Sequence, residues 1–201
     1  MLQDAEVCKV AAVVCIMSFR RIFRMDQLRL KPAVTAEETK LFAREVQTAF
    51  QDAYEALFGP CESVILPCED IRESFETPGA TAWMAFDGGQ RAGGALVVAD
   101  PVTQSGSLHL LYVKKESRNA GLGQRIWQAV EKMYPDITLW ETHTPYYDQR
   151  NIHFYVNRCG FHIVEFFNPR HPDPHQAGET TGGLLPEDNL FFRFEKKTKG
   201  N

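Results

Sequence analysis

The stretch SLHLLYVKKESRNAGLGQRIWQAVEKM, residues 107–133, restricts the fold of this chain more than any other. It opens on a β-type run, Ser107 to Val113, rich in apolar residues and interrupted by His109. It closes on a helical run in which Ile126, Val130 and Met133 recur at helical spacing. Between them the chain reads Arg118, Asn119, Ala120, Gly121, Leu122, Gly123, Gln124, with almost no side-chain bulk at 120, 121 and 123. A strand passed straight into a helix commits the segment to a layered α/β arrangement. The missing side chains have two physical explanations. Glycine permits a tight turn at no steric cost, or an anion must reach bare backbone amides at the start of the helix.

The rest of the chain extends the same alternation. LRLKPA from Leu28 reads as a short strand, and Thr35 with Glu38 forms a capping box opening a long helix. Phe42, Val46, Phe50, Ala53 and Leu57 place one apolar stripe along that helix until Gly59-Pro60 stops it. A second, shorter helix fits EDIRESFE. ATAWMAF, DGGQ and RAGGALVV read as a hairpin with glycine turn chemistry. DITLWETHT is a fifth strand, RNIHFYVNRC a helix, FHIVEFF a sixth strand and LFFRFEKK a last one. The expected architecture is α/β of mixed type, a central sheet of about seven strands with helices on both faces. The hairpin argues against a purely parallel, doubly wound sheet.

The 201 residues predict one domain, running from Met25 to Thr198. Residues 1–24 read as an extension outside it, because MDQLRLKPA has the character of a domain start. Val10 to Met17 is apolar but far short of the roughly 20 residues that span a bilayer. Asp4 and Glu6 upstream do not suit a signal peptide. Five scattered cysteines without CxxC pairs fit reduced thiols and a cytoplasmic location. Lys and Arg number 22 against 26 Asp and Glu, without a basic run, which argues against a nucleic-acid binder.

GLGQRI lacks the third glycine of GxGxxG, and no GK[ST] follows, so neither nucleotide fingerprint is met. What remains resembles motif A of the GNAT acetyltransferases, Arg or Gln, two residues, Gly, one residue, Gly or Ala. Arg118, Gly121 and Gly123 fill those positions. Downstream, TPYYDQRNIHFYVNRCGF carries Asn151, Phe154, Tyr155, Gly160 and Phe161 where the family has an Asn-rich helix start, FY and GF. There are two departures. Gly160 lies five residues after Tyr155, where four is the commoner spacing, and Asp148 stands where an Asn is frequent.

The resemblance implies a three-layer GNAT-like fold that binds acetyl-CoA as co-substrate where the fourth and fifth strands splay apart. Pantetheine would run along Leu111, Tyr112 and Val113. The pyrophosphate would sit on Arg118, Asn119, Ala120, Gly121, Leu122, Gly123 and Gln124, with Asn151 also contributing. There the helix dipole adds roughly 0.3–1 kcal/mol for an anion. An amine would attack the thioester directly, which needs a neutral amine and a proton for the departing thiolate. Tyr155 is the expected proton donor, its other reading being a core aromatic. His109 is the leading candidate base, since imidazole titrates near neutral pH, and it reads equally as a structural residue. Glu141 is the rival, with a surface charge or a structural ion pair as its alternative reading, and His143 reads as a loop residue.

His171, Asp173 and His175 have metal-ligand types, but prolines break the segment and no fourth ligand is evident, so no metal is expected. The long loop from Asn168 is expected to border the acceptor site, and Tyr146 and Tyr147 read either as lining that site or as packing residues. The acceptor expected from the resemblance is a primary amine of a small molecule or peptide, with no nucleic-acid or membrane partner, and with a homodimer admitted. The competing reading is a non-catalytic acyl-CoA-binding sensor or interaction module. It would keep Arg118 and the glycines but would not need His109, Glu141 or Tyr155.

Overall fold

A computed structural model describes residues 28–118, 121–174 and 190–198. The expected extension at 1–24 lies outside them. Seven strands form one sheet in the order β1-β2-β3-β4-β5-β7-β6. They are β1 (Leu28–Pro32), β2 (Ala80–Asp87), β3 (Gln90–Asp100), β4 (Ser105–Val113), β5 (Leu139–Pro145), β6 (His162–Phe167) and β7 (Phe191–Lys197). Every neighbouring pair is antiparallel except β4 and β5, which run parallel. The glycine-turn hairpin is β2 and β3, closed by Gly88-Gly89 with both φ values positive.

Helix α1 (Ala36–Phe58) begins at the expected capping box. The Thr35 hydroxyl accepts from the Glu38 amide, and the Glu38 carboxylate accepts from the Thr35 amide. With α2 (Cys68–Glu76) it covers one face, where Phe42, Val46, Ile71, Met84, Leu96 and Leu110 form a buried cluster. Helix α3 (Leu122–Met133) and helix α4 (Gln149–His153) cover the other. There Ile126, Trp127, Val130, Trp140, Phe161 and Phe194 pack together. The two clusters place helices on both faces, in three layers.

Two apolar runs depart from the expected packing. Met133, at the end of the α3 stripe, is 44% exposed because it sits at the last position before the helix stops. The α1 stripe divides along its length. Phe42 and Val46 are fully buried in the core, whereas Phe50, Ala53 and Leu57 line a cleft. The strand expected from Asp136 starts three residues later, at Leu139, with Ile137 buried in the preceding turn.

The helix expected over RNIHFYVNRC is α-helical only to His153, and from Phe154 to Cys159 it is a π-helix. A π-turn holds one residue more than an α-turn. The five-residue spacing between Tyr155 and Gly160 is absorbed in this way. Tyr155 and Phe161 both stay in the core, and the Tyr155 carbonyl accepts from the amides of Gly160 and Phe161. Gly160 has φ 78, the left-handed conformation that ends the helix without side-chain strain. Among the described residues, no helix is long and apolar enough to cross a membrane.

Candidate active site

Strands β4 and β5 pair only over Ser105–Ser107 and Leu139–Glu141, although they run nine and seven residues. Beyond that point they diverge, and among the described residues the β5-facing backbone of Leu111 to Val113 has no strand beside it. At the fork, the Thr142 hydroxyl donates to the Leu108 carbonyl at 2.9 Å. The splay opens into a cavity of about 930 Å³. Its walls include Leu111, Tyr112 and Val113 from β4, Arg118, Gly121, Leu122, Gly123 and Gln124 at the start of α3, and Asn151 from α4. One cavity therefore gathers every residue expected to hold the cofactor that the structure describes. Asn119 and Ala120 lie outside the described residues.

The local chemistry explains the small residues. Gly121 is the N-cap of α3 with φ 65, a left-handed conformation that L side chains rarely adopt. A Cβ there would meet nothing within 4 Å, so its hydrogen faces open space. Gly123 differs, since a Cβ would come within 3.3 Å of the Phe154 ring, and close packing is part of its role. The Arg118 guanidinium donates to the Ala49 carbonyl of α1 at 3.3 Å, which braces it across the cleft. Asp148 caps α4 by accepting the Asn151 amide at 2.9 Å. Burial raises its carboxyl pKa, and that hydrogen bond and Arg150 oppose the rise. Phe50, Ala53, Tyr54, Leu57 and Tyr147 give the cavity an apolar wing, in which Tyr147 meets Tyr54 and Phe58 edge-on.

The three catalytic candidates lie around the fork and not on the cavity wall. Tyr155 is buried, its hydroxyl interacts with the Thr142 side chain, and burial raises its pKa above that of an ordinary tyrosine, which is itself protonated at neutral pH. His109 occupies a bulge that the sequence does not announce. Leu96 pairs with Leu110 but Val97 pairs with Leu108, which leaves His109 as the extra residue on β4. Its surface is exposed, yet neighbouring atoms crowd the ring. That desolvation, followed by the charge of His143, lowers its pKa, and Glu141 pulls the other way. Glu141 is held in the ion pair that formed its alternative reading, accepting from Arg193 Nη1 at 2.8 Å.

Other expectations are corrected. His143 is not a loop residue but lies within β5, two positions after Glu141. The alternation of the strand could have put both on one face from the sequence. The tyrosine pair divides, with Tyr147 in the cavity wall and Tyr146 packed on Phe166 and Phe192. His171 Nε2 lies 2.7 Å from the Glu165 carboxylate, which in turn accepts from Arg193 at 2.9 Å. His175 lies outside the described residues. Among the described residues no group of three or more His, Cys, Asp or Glu could hold a metal ion. Thr142 at the fork and Arg158 on the cavity wall are not singled out by the sequence, because neither type carries a signature at its spacing.

Comparison with known proteins bears on this arrangement. Residues 43–161 match the Acetyltransferase (GNAT) family. YrkN of Bacillus subtilis (strain 168), described as uncharacterised, is 44% identical over 169 residues, spanning 82% of this chain and 91% of that protein. A Bacillus subtilis acetyltransferase crystallised with CoA shares the fold at TM-score 0.59 and 17% identity, over 86% of this chain and all of that one. A GNAT family acetyltransferase from Elizabethkingia anophelis with acetyl-CoA bound does so at TM-score 0.61 and 11% identity, over 86% and 99% of the two chains. The family match spans more than half of the chain, and it covers the bulged strand, the fork, the cradle and the π-turn; the chain belongs to the GNAT acetyltransferase family.

Proposed function

We propose that the protein transfers the acetyl group of acetyl-CoA to a primary amine of a small molecule or peptide. The observation that carries this reading is the convergence of motif A, the splayed β4 backbone and Asn151 on one cavity. Pantetheine would lie along Leu111 to Val113 as a surrogate strand, replacing the partner that β5 ceases to be. The diphosphate would take the amides at the start of α3, with Arg118 beside it. That places the thioester toward the fork.

An amine that has lost its proton attacks the thioester carbonyl carbon. The nitrogen of the tetrahedral intermediate gives up a proton to solvent, and the C–S bond breaks as the intermediate collapses. The CoA thiolate takes a proton from the acid, and solvent reprotonates that acid. His109 is the base in this reading. Its lowered pKa keeps the imidazole neutral over more of the pH range, ready to accept an ammonium proton directly or through water. Tyr155, protonated and paired with Thr142 at the fork, supplies the proton to sulfur. Glu141, bound to Arg193, is the less available base. A second reading, an acyl-CoA sensor without turnover, uses the same cradle and needs neither His109 nor Tyr155. Thiol release from acetyl-CoA across a panel of primary amines tests the proposal. Amine-dependent release above the hydrolytic background is expected. Tight acetyl-CoA binding without release for any amine would favour the sensor.

A further inference from the structure

The π-turn does more than repair a spacing. Its two ends are fixed, Tyr155 and Cys159 being buried and Phe161 having no exposed surface. The additional residue must therefore be taken up on the outward side of the turn, where Asn157 and Arg158 are exposed. Arg158 lines the cavity there, beside the first turn of α3, and Gln124 Nε2 donates to the Arg158 carbonyl at 2.6 Å.

Among the described residues four arginines line this cavity, and they differ in what they already hold. Arg125 is paired with Asp87 at 3.0 Å. Arg118 is braced on the Ala49 carbonyl. Arg150 lies near Asp148 and feels its charge. The Arg158 guanidinium has no ion pair or hydrogen bond among the described residues. A cradle of amides with Arg118 suffices for one diphosphate. The nucleotide half of CoA carries a second anionic group, a phosphomonoester on the 3′ position of its ribose.

We infer that Arg158, held out over the cavity by the π-turn next to Gln124, is a subsite for the 3′-phosphate of CoA. It would make the protein discriminate CoA thioesters from nucleotides and from CoA lacking that phosphate. The inference rests on the reading that this cavity takes CoA. A guanidinium on a phosphomonoester forms charge-assisted hydrogen bonds, which correspond to a preference of about tenfold to a hundredfold.

The test is calorimetric titration of the full chain with CoA and with 3′-dephospho-CoA, repeated on Arg158→Ala and Arg158→Lys. The exposed position makes loss of folding an unneeded concern, and a melting curve checks it. The wild type should prefer CoA by about tenfold or more. Arg158→Ala should bind the two alike by losing affinity for CoA alone, and Arg158→Lys should retain part of the preference. Equal binding of both ligands by the wild type would overturn the subsite and leave the CoA reading standing. So would an undiminished preference in Arg158→Ala. Failure of the folded wild type to bind either ligand would remove the CoA reading, and the subsite with it.

Discussion

At the scale of single residues, the proposed chemistry depends on what stands at three positions. Gly121 faces open space in a left-handed conformation, so Gly121→Glu puts a carboxylate where the diphosphate is proposed to lie. Acetyl-CoA affinity should fall below detection, and Gly121→Ala, which adds strain without charge, should lose less. Tyr155→Phe keeps the core aromatic and removes the proton donor. Turnover should drop about a hundredfold or more with the acetyl-CoA dissociation constant nearly unchanged. An unaltered rate would assign Tyr155 to packing alone. The proposed base sets the pH dependence. Because the folded-state pKa of His109 is lowered, the ring is neutral from a lower pH than an ordinary imidazole. The rate should therefore rise with pH through a step below the usual value near 6.5. His109→Gln should abolish that step, and its persistence would point to another base.

At the scale of elements, much was legible because local chemistry was unambiguous. The TAEE box, the glycine hairpin and the strand before motif A each reported a backbone requirement that no tertiary contact overrides. Thr35→Ala should cost about 1 kcal/mol of stability by denaturant melts. The other half of the box adds an acid dependence. The Glu38 carboxyl, with Lys31 and two amides on it, has its pKa held down to about 2 from 4.5. Its contribution is present above pH 4.5 and is lost as pH falls toward 2, so Glu38→Gln should flatten the acid limb of the stability curve there. What the sequence did not disclose depends on register between strands. The bulge at His109 exists only relative to Leu96 and Val97, and His143 gains meaning only once β5 lies beside β4. The π-turn was half legible. The long spacing from Tyr155 to Gly160 was visible, but its resolution required knowing that both ends are anchored in the core.

At the scale of the whole molecule, the sheet holds two helical layers apart and leaves its one parallel seam incompletely closed. Seven strands in mixed order were readable from alternation, whereas the division of the α1 stripe between core and cleft was not. Apolar residues at helical spacing look alike whether they face protein or a ligand. Binding at the seam should couple to global stability. At a hundredfold excess over its dissociation constant, acetyl-CoA should add about 2.7 kcal/mol. For a domain of this size that is a rise in melting temperature of roughly 5–10 °C. The measurement that bears most directly on the central claim is calorimetric titration of the folded protein with acetyl-CoA, CoA and ATP. Saturable binding of both CoA species is expected, with ATP much weaker. Absence of CoA binding by a folded sample would reduce the glycines to a turn and contradict the acetyl-transfer reading.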